Sequence, residues 1–170
     1  LLTPDSPPAE RDAVLKAAPP AGDQLQLPNN IAVIKGPSDL ILVDAGTGPR
    51  HQPTAGKLAG NLKAAGIQPT AVTMVVLTHG HPDHIGGTVG DDGRPVFDRA
   101  VHVMAPAEWA FWTSKDTLAT VPERFRQIAD HNLPPISDQL QLATGEVEVA
   151  PGVTILPTPG HTPGHLAVVL

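Results

Sequence analysis

Short apolar runs alternate with helix-like segments along most of this 170-residue chain. Runs of β-branched and aliphatic residues predict buried strands, which fall at residues 31–34, 40–43, 72–77, 101–104, 147–149, 153–156 and 165–170. Helical spacing or a proline at the first position predicts helices, which cover residues 54–65, 106–113 and 121–131. This alternation, with hairpins included, indicates an α/β layered sandwich with mixed sheets.

The first 28 residues differ in character from the rest of the chain. They are polar and rich in proline, and a short helix-like piece from Glu10 to Ala18 lies between two proline pairs. Such a segment is typical of an extended arm or loop. We therefore expect an arm over residues 1–28 and a folded domain over residues 29–170.

The composition narrows the chemistry that this chain can perform. It contains no cysteine, which excludes disulfides, thiolate ligands and a cysteine nucleophile, so any metal must be held by nitrogen and oxygen. A formal net charge of −6 disfavours nucleic acid as a partner, and no apolar run approaches the length of a membrane span. The lack of cysteine fits the cytoplasm and the periplasm equally, so the compartment stays open.

The densest group of metal-binding side chains follows the strand predicted at residues 72–77. The run His79–His84 (H-G-H-P-D-H) holds three imidazoles and a carboxylate, and both groups are good ligands for divalent metals. The spacing allows His79 and His81 to face one ion, while Asp83 and His84 face a second. Two ions about 3.5–4 Å apart form a clamp for hydrolysis.

A second glycine-flanked turn, at residues 157–165, also follows an apolar strand. His161 at its tip is expected to be the third ligand of the first ion, whereas His165 opens the next strand and is expected to orient the loop. Asp44, at another strand end, is expected to hold backbone amides and a histidine ring rather than a metal. Three isolated histidines are interpreted as structural or surface residues: His51, His102 and His131.

These motifs resemble those of the metallo-β-lactamase superfamily of hydrolases. The resemblance rests on Leu42–Gly46, Thr78–Gly87 and Thr158–His165, which occur in the order and at the separations usual in that family. It implies an αβ/βα sandwich with a dinuclear metal site at one edge. The ligands it implies are, for the first ion, His79, His81 and His161, and for the second ion, Asp83 and His84.

The segments Pro95–Phe97 and Ala107–Trp112 resemble the methyl parathion hydrolase branch, to which N-acyl homoserine lactone lactonases are close relatives. Members of the family also supply strands upstream of the first motif, and a bridging aspartate and a further histidine after the second turn. The sequence contains neither of these two ligands after His165. The resemblance therefore implies an incomplete sandwich that is the central piece of a longer protein.

The expected function is that of a metal-dependent hydrolase. Two divalent ions, with zinc as the first expectation, generate a hydroxide that attacks an ester, lactone or phosphotriester. Asp83 is expected to orient this hydroxide. Trp109, Phe111 and Trp112 are expected either to form an apolar wall for a small-molecule substrate or to pack their helix onto the sheet.

Two other enzyme classes share the same metal-binding turn, namely thioesterases of the glyoxalase II type and true β-lactamases. A third hypothesis is not enzymatic: the chain is a fragment that binds metal without catalysing a reaction. In that case exposed sheet edges would pair two copies of the chain into a homodimer.

Overall fold

The computed structural model describes residues 7–17 and 28–170. The helices in this part of the chain are α1 (Pro8–Ala17), α2 (Leu58–Ala64), α3 (Pro82–Ile85), α4 (Pro106–Thr113), α5 (Lys115–Leu118) and α6 (Glu123–Asn132). The strands are β1 (Ala32–Lys35), β2 (Leu40–Val43), β3 (Met74–Val76), β4 (Val101–Met104), β5 (Leu140–Leu142), β6 (Val147–Ala150), β7 (Val153–Pro157) and β8 (Leu166–Val169). Two 3₁₀ turns lie at Pro69–Ala71 and Pro134–Gln139.

The strands form two sheets of different character. Strands β1 to β5 form a five-stranded sheet in chain order, in which β1 and β2 are antiparallel and β2 to β5 run parallel. Strands β6, β7 and β8 form a three-stranded antiparallel sheet. The predicted α/β fold with mixed sheets is confirmed, and the parallel strands place their carboxyl ends at one common edge.

Alternate residues of the larger sheet face two separate cores. Leu42 and Val75 belong to a cluster that also contains helical residues, which we call the helix-covered core. Ile41 and Val76 belong to a second cluster together with Ile155 of the smaller sheet. The second cluster therefore lies between the two sheets. Strand β3 is buried on both faces, which explains its uninterrupted apolar sequence, and each such aliphatic side chain contributes roughly 1.5–3 kcal/mol of transfer free energy.

Several element bounds differ from the sequence expectations. The helix predicted at residues 54–65 is confined to Leu58–Ala64, because Gly56 has a φ of +75° and a Cβ added to it would lie 2.8 Å from Pro49 Cα. A residue with positive φ does not fit a right-handed helix. The strand predicted at residues 72–77 is shorter in the structure, Met74–Val76. The strand Leu140–Leu142 is not among the predicted strands, because three residues are too few to show the alternation typical of a strand.

The proline-rich arm is described only in part. Residues 8–17 form α1, close to the helix-like piece predicted from Glu10 to Ala18, but Ala18 and most of the arm lie outside the described residues. In the described ranges, no helix combines the length and the hydropathy that crossing a bilayer requires.

Candidate metal centre

The candidate site lies where the parallel strands of the larger sheet end. Asp44 directly follows β2, and Thr78 is the second residue after β3. The backbone N–H of Leu166, the first residue of β8, donates to the carbonyl of Thr78 at 2.9 Å. This bond joins the bases of the two histidine-bearing turns, so the tertiary structure brings together motifs that lie about 80 residues apart in the sequence.

A proline and a short helix shape the first turn. His81 is the N-cap of α3 and has extended backbone angles (φ −67°, ψ 152°), and Pro82 is the first helical residue. Proline is suited to this position because its missing N–H would have no partner within the helix. As a result, His79 and His81 precede the helix, while Asp83 and His84 lie on it.

Three histidines from the two turns converge on one point. The distance between His79 Nε2 and His81 Nδ1 is 3.1 Å, and that between His81 Nδ1 and His161 Nε2 is 3.0 Å. One ring nitrogen from each residue lies within 4.8 Å of the other two. This is the trio that the sequence assigns to the first ion, and its geometry suits a cation that accepts three imidazole ligands.

The environment keeps two of these imidazoles uncharged. Burial, reinforced by the neighbouring histidines, lowers the pKa of His79 to about 3. Burial and the proximity of His161 also lower the pKa of His81, although the carboxylates of Asp83 and Glu108 oppose this shift. A neutral imidazole retains the lone pair that a metal requires. His79 and His81 are therefore in the protonation state of metal ligands before any cation binds.

The residues assigned to the second ion lie beside this trio. The rings of His79 and His84 have centroids 3.9 Å apart. His84 Nε2 lies 3.3 Å from Asp83 Oδ2, and its Nδ1 lies 2.8 Å from Asp44 Oδ2. Burial lowers the pKa of His84, but the two carboxylates outweigh burial and raise the pKa to about 9. The bond to His84 lowers the pKa of Asp83 to about 2.

Asp44 holds its neighbours from an unusual backbone conformation. Its φ is 68°, in the left-handed region, which aspartate tolerates better than most residues. Its Oδ1 accepts hydrogen bonds from the backbone N–H of Thr78 at 2.8 Å and from the Thr78 hydroxyl at 2.9 Å. The same hydroxyl lies 3.0 Å from His79 Nδ1. Asp44 thus contacts the side chain of Thr78 and the ring of His84, as the expectation of a ring-orienting residue requires.

The other predicted site residues occupy different positions around the trio. His165 contacts Thr158 on its own turn, Nδ1 to Oγ1 at 2.8 Å. Trp112 is only 2% exposed, with its ring 5.5 Å from that of His81, whereas Trp109 and Phe111 are half-buried against the helix-covered core. The apolar side of His81 is completed by Phe125 of α6, whose ring centroid is 5.7 Å away.

Sequence reasoning missed two polar residues at this site. Thr78 stands directly before the first motif and contacts both Asp44 and His79. Glu108 of α4 is fully buried and accepts hydrogen bonds from both histidine-bearing turns. A signal for Glu108 was present in the sequence, because an acidic residue stands among apolar ones, one helical turn before Trp112.

Comparison with curated proteins finds relatives that cover most of this chain. An N-acyl homoserine lactonase of Bacillus sp is 27% identical over 114 residues, which are 67% of this chain and 39% of that protein. Metallo-beta-lactamase domain-containing protein 1 of Xenopus laevis is 26% identical over 151 residues, which are 88% of this chain and 51% of that protein. The chain thus spans about half, or less, of the length of these relatives.

Solved structures with the same fold are also found. The hydrolase AbOPH of the beta lactamase superfamily superposes with a TM-score of 0.83 at 25% identity, covering 96% of this chain and 60% of that one. The dizinc quorum-quenching lactonase AidC superposes with a TM-score of 0.70 at 29% identity, covering 82% and 51%. The family model of the metallo-beta-lactamase superfamily matches residues 25–170. This chain belongs to the metallo-beta-lactamase superfamily.

Proposed function

We propose that this chain carries the metal centre of a hydrolase that opens the ring of N-acyl homoserine lactones. The observation that carries the proposal is the convergence of His79, His81 and His161 at the carboxyl-terminal edge of a parallel sheet. Catalytic zinc sites typically combine three protein ligands with an open position. Of the three, His161 is exposed, so the trio is open toward solvent on one side.

The donor set fits zinc. The first ion would be held by His79, His81 and His161, and a second by Asp83 and His84. The description of AidC as a dizinc enzyme supports the count of two. When bound, such ions supply a water of lowered pKa and polarise the carbonyl oxygen of an ester.

The side chains around the trio prepare it for this role. Thr78 contacts Nδ1 of His79, which leaves Nε2 of the same ring free to face His81. Asp44 contacts Nδ1 of His84 and so orients its ring, while Nε2 lies beside Asp83, the other residue proposed to hold the second ion. Groups that orient a ligand in this way are what give metal sites their affinity and geometry.

Two observations support a lactone as the substrate. Several of the curated relatives are N-acyl homoserine lactonases, and the lactonase AidC was solved in complex with a product, N-hexnoyl-L-homoserine. The half-buried ring of Phe125 also gives one side of His81 an apolar surface. An acyl chain gains free energy when such a surface removes it from water. Trp109 and Phe111 extend the proposed apolar wall along α4.

The experiment compares the zinc-loaded chain with a His81→Ala variant on four substrates. Hydrolysis is measured through the protons that it releases. The four substrates are an N-acyl homoserine lactone, an aryl phosphotriester, a β-lactam and a glutathione thioester. We expect zinc-dependent hydrolysis of the lactone above that of the other three, and its loss in the His81→Ala variant. His131→Ala is the matched control, because the His131 ring contacts the carbonyl of Gly90 at 3.2 Å and takes no part in the trio.

Full lactone hydrolysis by the His81→Ala variant would disprove the assignment of the metal centre. Faster hydrolysis of one of the other three substrates would disprove the choice of a lactone while leaving the metal-dependent hydrolase in place.

A further inference from the structure

A single buried carboxylate connects the two histidine-bearing turns. Glu108 lies in the first turn of α4 and has no exposed surface. Its Oε1 accepts a hydrogen bond from the backbone N–H of Gly80 at 2.8 Å, and its Oε2 accepts one from the backbone N–H of Gly164, also at 2.8 Å. Gly80 stands between His79 and His81, and Gly164 belongs to the turn that carries His161.

Among the described residues, every hydrogen bond that this carboxylate accepts comes from an N–H donor. Besides the two glycine amides, the indole Nε1 of Trp112 donates to Oε1 at 2.7 Å. Both oxygens are therefore used, one on each turn, and hydrogen bonds to a carboxylate are about twice as strong as those between neutral groups. Because the two oxygens of a carboxylate lie at a constant separation, the bonds set the distance between the two amides.

The glycines allow this close approach of α4 to both turns. A Cβ added to Gly80 would overlap the indole ring of Trp112, and one added to Gly164 would overlap the backbone of Glu108 itself. Neither glycine has a positive φ, so tight packing against α4, and not backbone conformation, is what requires glycine here.

We infer that Glu108 is a positioning residue that holds the two turns at the separation that metal binding by His79, His81 and His161 requires. The bond from Leu166 to Thr78 joins the turns at their bases, while Glu108 joins them beside the ligands. Removing the carboxylate therefore loosens the trio without separating the sheets. The inference rests on the metal-binding part of the proposed function and is independent of the substrate.

The test measures the affinity of the 170-residue chain for Zn²⁺ and Co²⁺. Glu108→Gln keeps the shape of the side chain but replaces one acceptor oxygen with an NH₂ donor, which then faces an N–H group of the protein. Zn²⁺ affinity is measured by competition with a chelator, and Co²⁺ binding by its visible absorption spectrum. We expect a loss of about 10- to 100-fold in affinity, the usual effect of removing a group that orients metal ligands.

Ile136→Ala is the matched control for a general loss of stability. Ile136 is fully buried in the helix-covered core and belongs to the 3₁₀ turn at residues 134–139. Its truncation leaves a cavity and lowers the melting temperature, but we expect its metal affinity to stay at the level of the unmodified chain. Equal losses of affinity in both variants, or unchanged affinity in Glu108→Gln, would overturn the inference.

A second measurement needs no metal. Amide hydrogen exchange in the metal-free protein should become faster at Gly80 and Gly164 in Glu108→Gln, and unchanged exchange at both amides would also overturn the inference. If Glu108→Gln yields no folded protein, Glu108→Asp, which is one methylene too short to reach both turns, is tested in the same two ways. Lactone hydrolysis enters neither readout, so failure of the proposed substrate is distinguishable from failure of this inference.

Discussion

The histidine in the middle of the larger sheet should make stability depend on pH. His102 lies in β4, is fully buried, and has no hydrogen-bond partner for either ring nitrogen among the described residues. Its register neighbours, Val75 on β3 and Leu140 on β5, both belong to or pack against the helix-covered core. Burial in this apolar setting lowers the pKa of His102 from 6.5 to about 4, because desolvation disfavours the charged ring.

The size of the effect follows from this shift. Between pH 6.5 and 4 the unfolded chain takes up a proton at His102, but the folded chain does not. The contribution of the neutral His102 ring to stability is therefore fully present above pH 6.5 and is lost as the pH decreases toward 4. At roughly 1.4 kcal/mol for each pKa unit, the full loss is about 3–4 kcal/mol, and most of it has occurred by pH 4.5.

Replacing His102 with leucine removes the titrating ring at similar side-chain volume. We expect the free energy of unfolding in urea, measured on the metal-free protein, to fall between pH 7 and pH 4.5 by about 2–3 kcal/mol less in His102→Leu than in the unmodified chain. Every other ionisable residue is the same in both proteins, so its contribution cancels in the difference. Equal losses in the two proteins would refute the reasoning, as would an NMR titration that places the pKa of His102 near 6.5.

Two further predictions concern packing and metal binding. Gly80→Ala should lower the free energy of unfolding by about 1–3 kcal/mol, because the added methyl overlaps the buried ring of Trp112. In contrast, Gly60→Ala on α2 should raise the free energy of unfolding by up to about 1 kcal/mol, because nothing lies within 4 Å of the new Cβ. Equal effects of the two substitutions in thermal melts would contradict this account. Zinc at 100 times its dissociation constant should stabilise the chain by about 2.7 kcal/mol. A His161→Ala variant that gains the same stabilisation in calorimetry would show that zinc binds elsewhere.

The local parts of the metal centre were predictable because they depend on neighbouring residues. A buried strand followed by the run His79–His84 brings its ligands together within one turn, whatever the rest of the chain does. The positions of most strands and the bounds of the helix Pro106–Thr113 follow from equally local patterns. The helix predicted at residues 54–65 was too long, because the conformation of Gly56 depends on its packing against Pro49.

The role of Glu108 could not be predicted from local patterns. At the start of a helix an acidic residue normally faces solvent and interacts with the helix dipole. Here α4 packs against both histidine-bearing turns, so the amides of Gly80 and Gly164 donate to the same carboxylate. Gly80 is 28 residues and Gly164 is 56 residues away from Glu108 in the sequence. The burial of Trp112, predicted as one of two alternatives for its helix, depends on the same packing.

By itself, the sequence determined the fold class and the family and predicted the candidate metal-binding side chains, since each rests on a short pattern of hydrophobic positions or ligands. Only the tertiary structure decided how these side chains meet. The contact between His81 and His161 spans 80 residues and forms because the ends of the two sheets pack side by side. Tertiary packing also removes water from His79 and, on the helix-covered side of the larger sheet, from His102, and this burial lowers the pKa of both rings. Such long-range contacts depend on the whole packed structure, so no single segment of the sequence carries them.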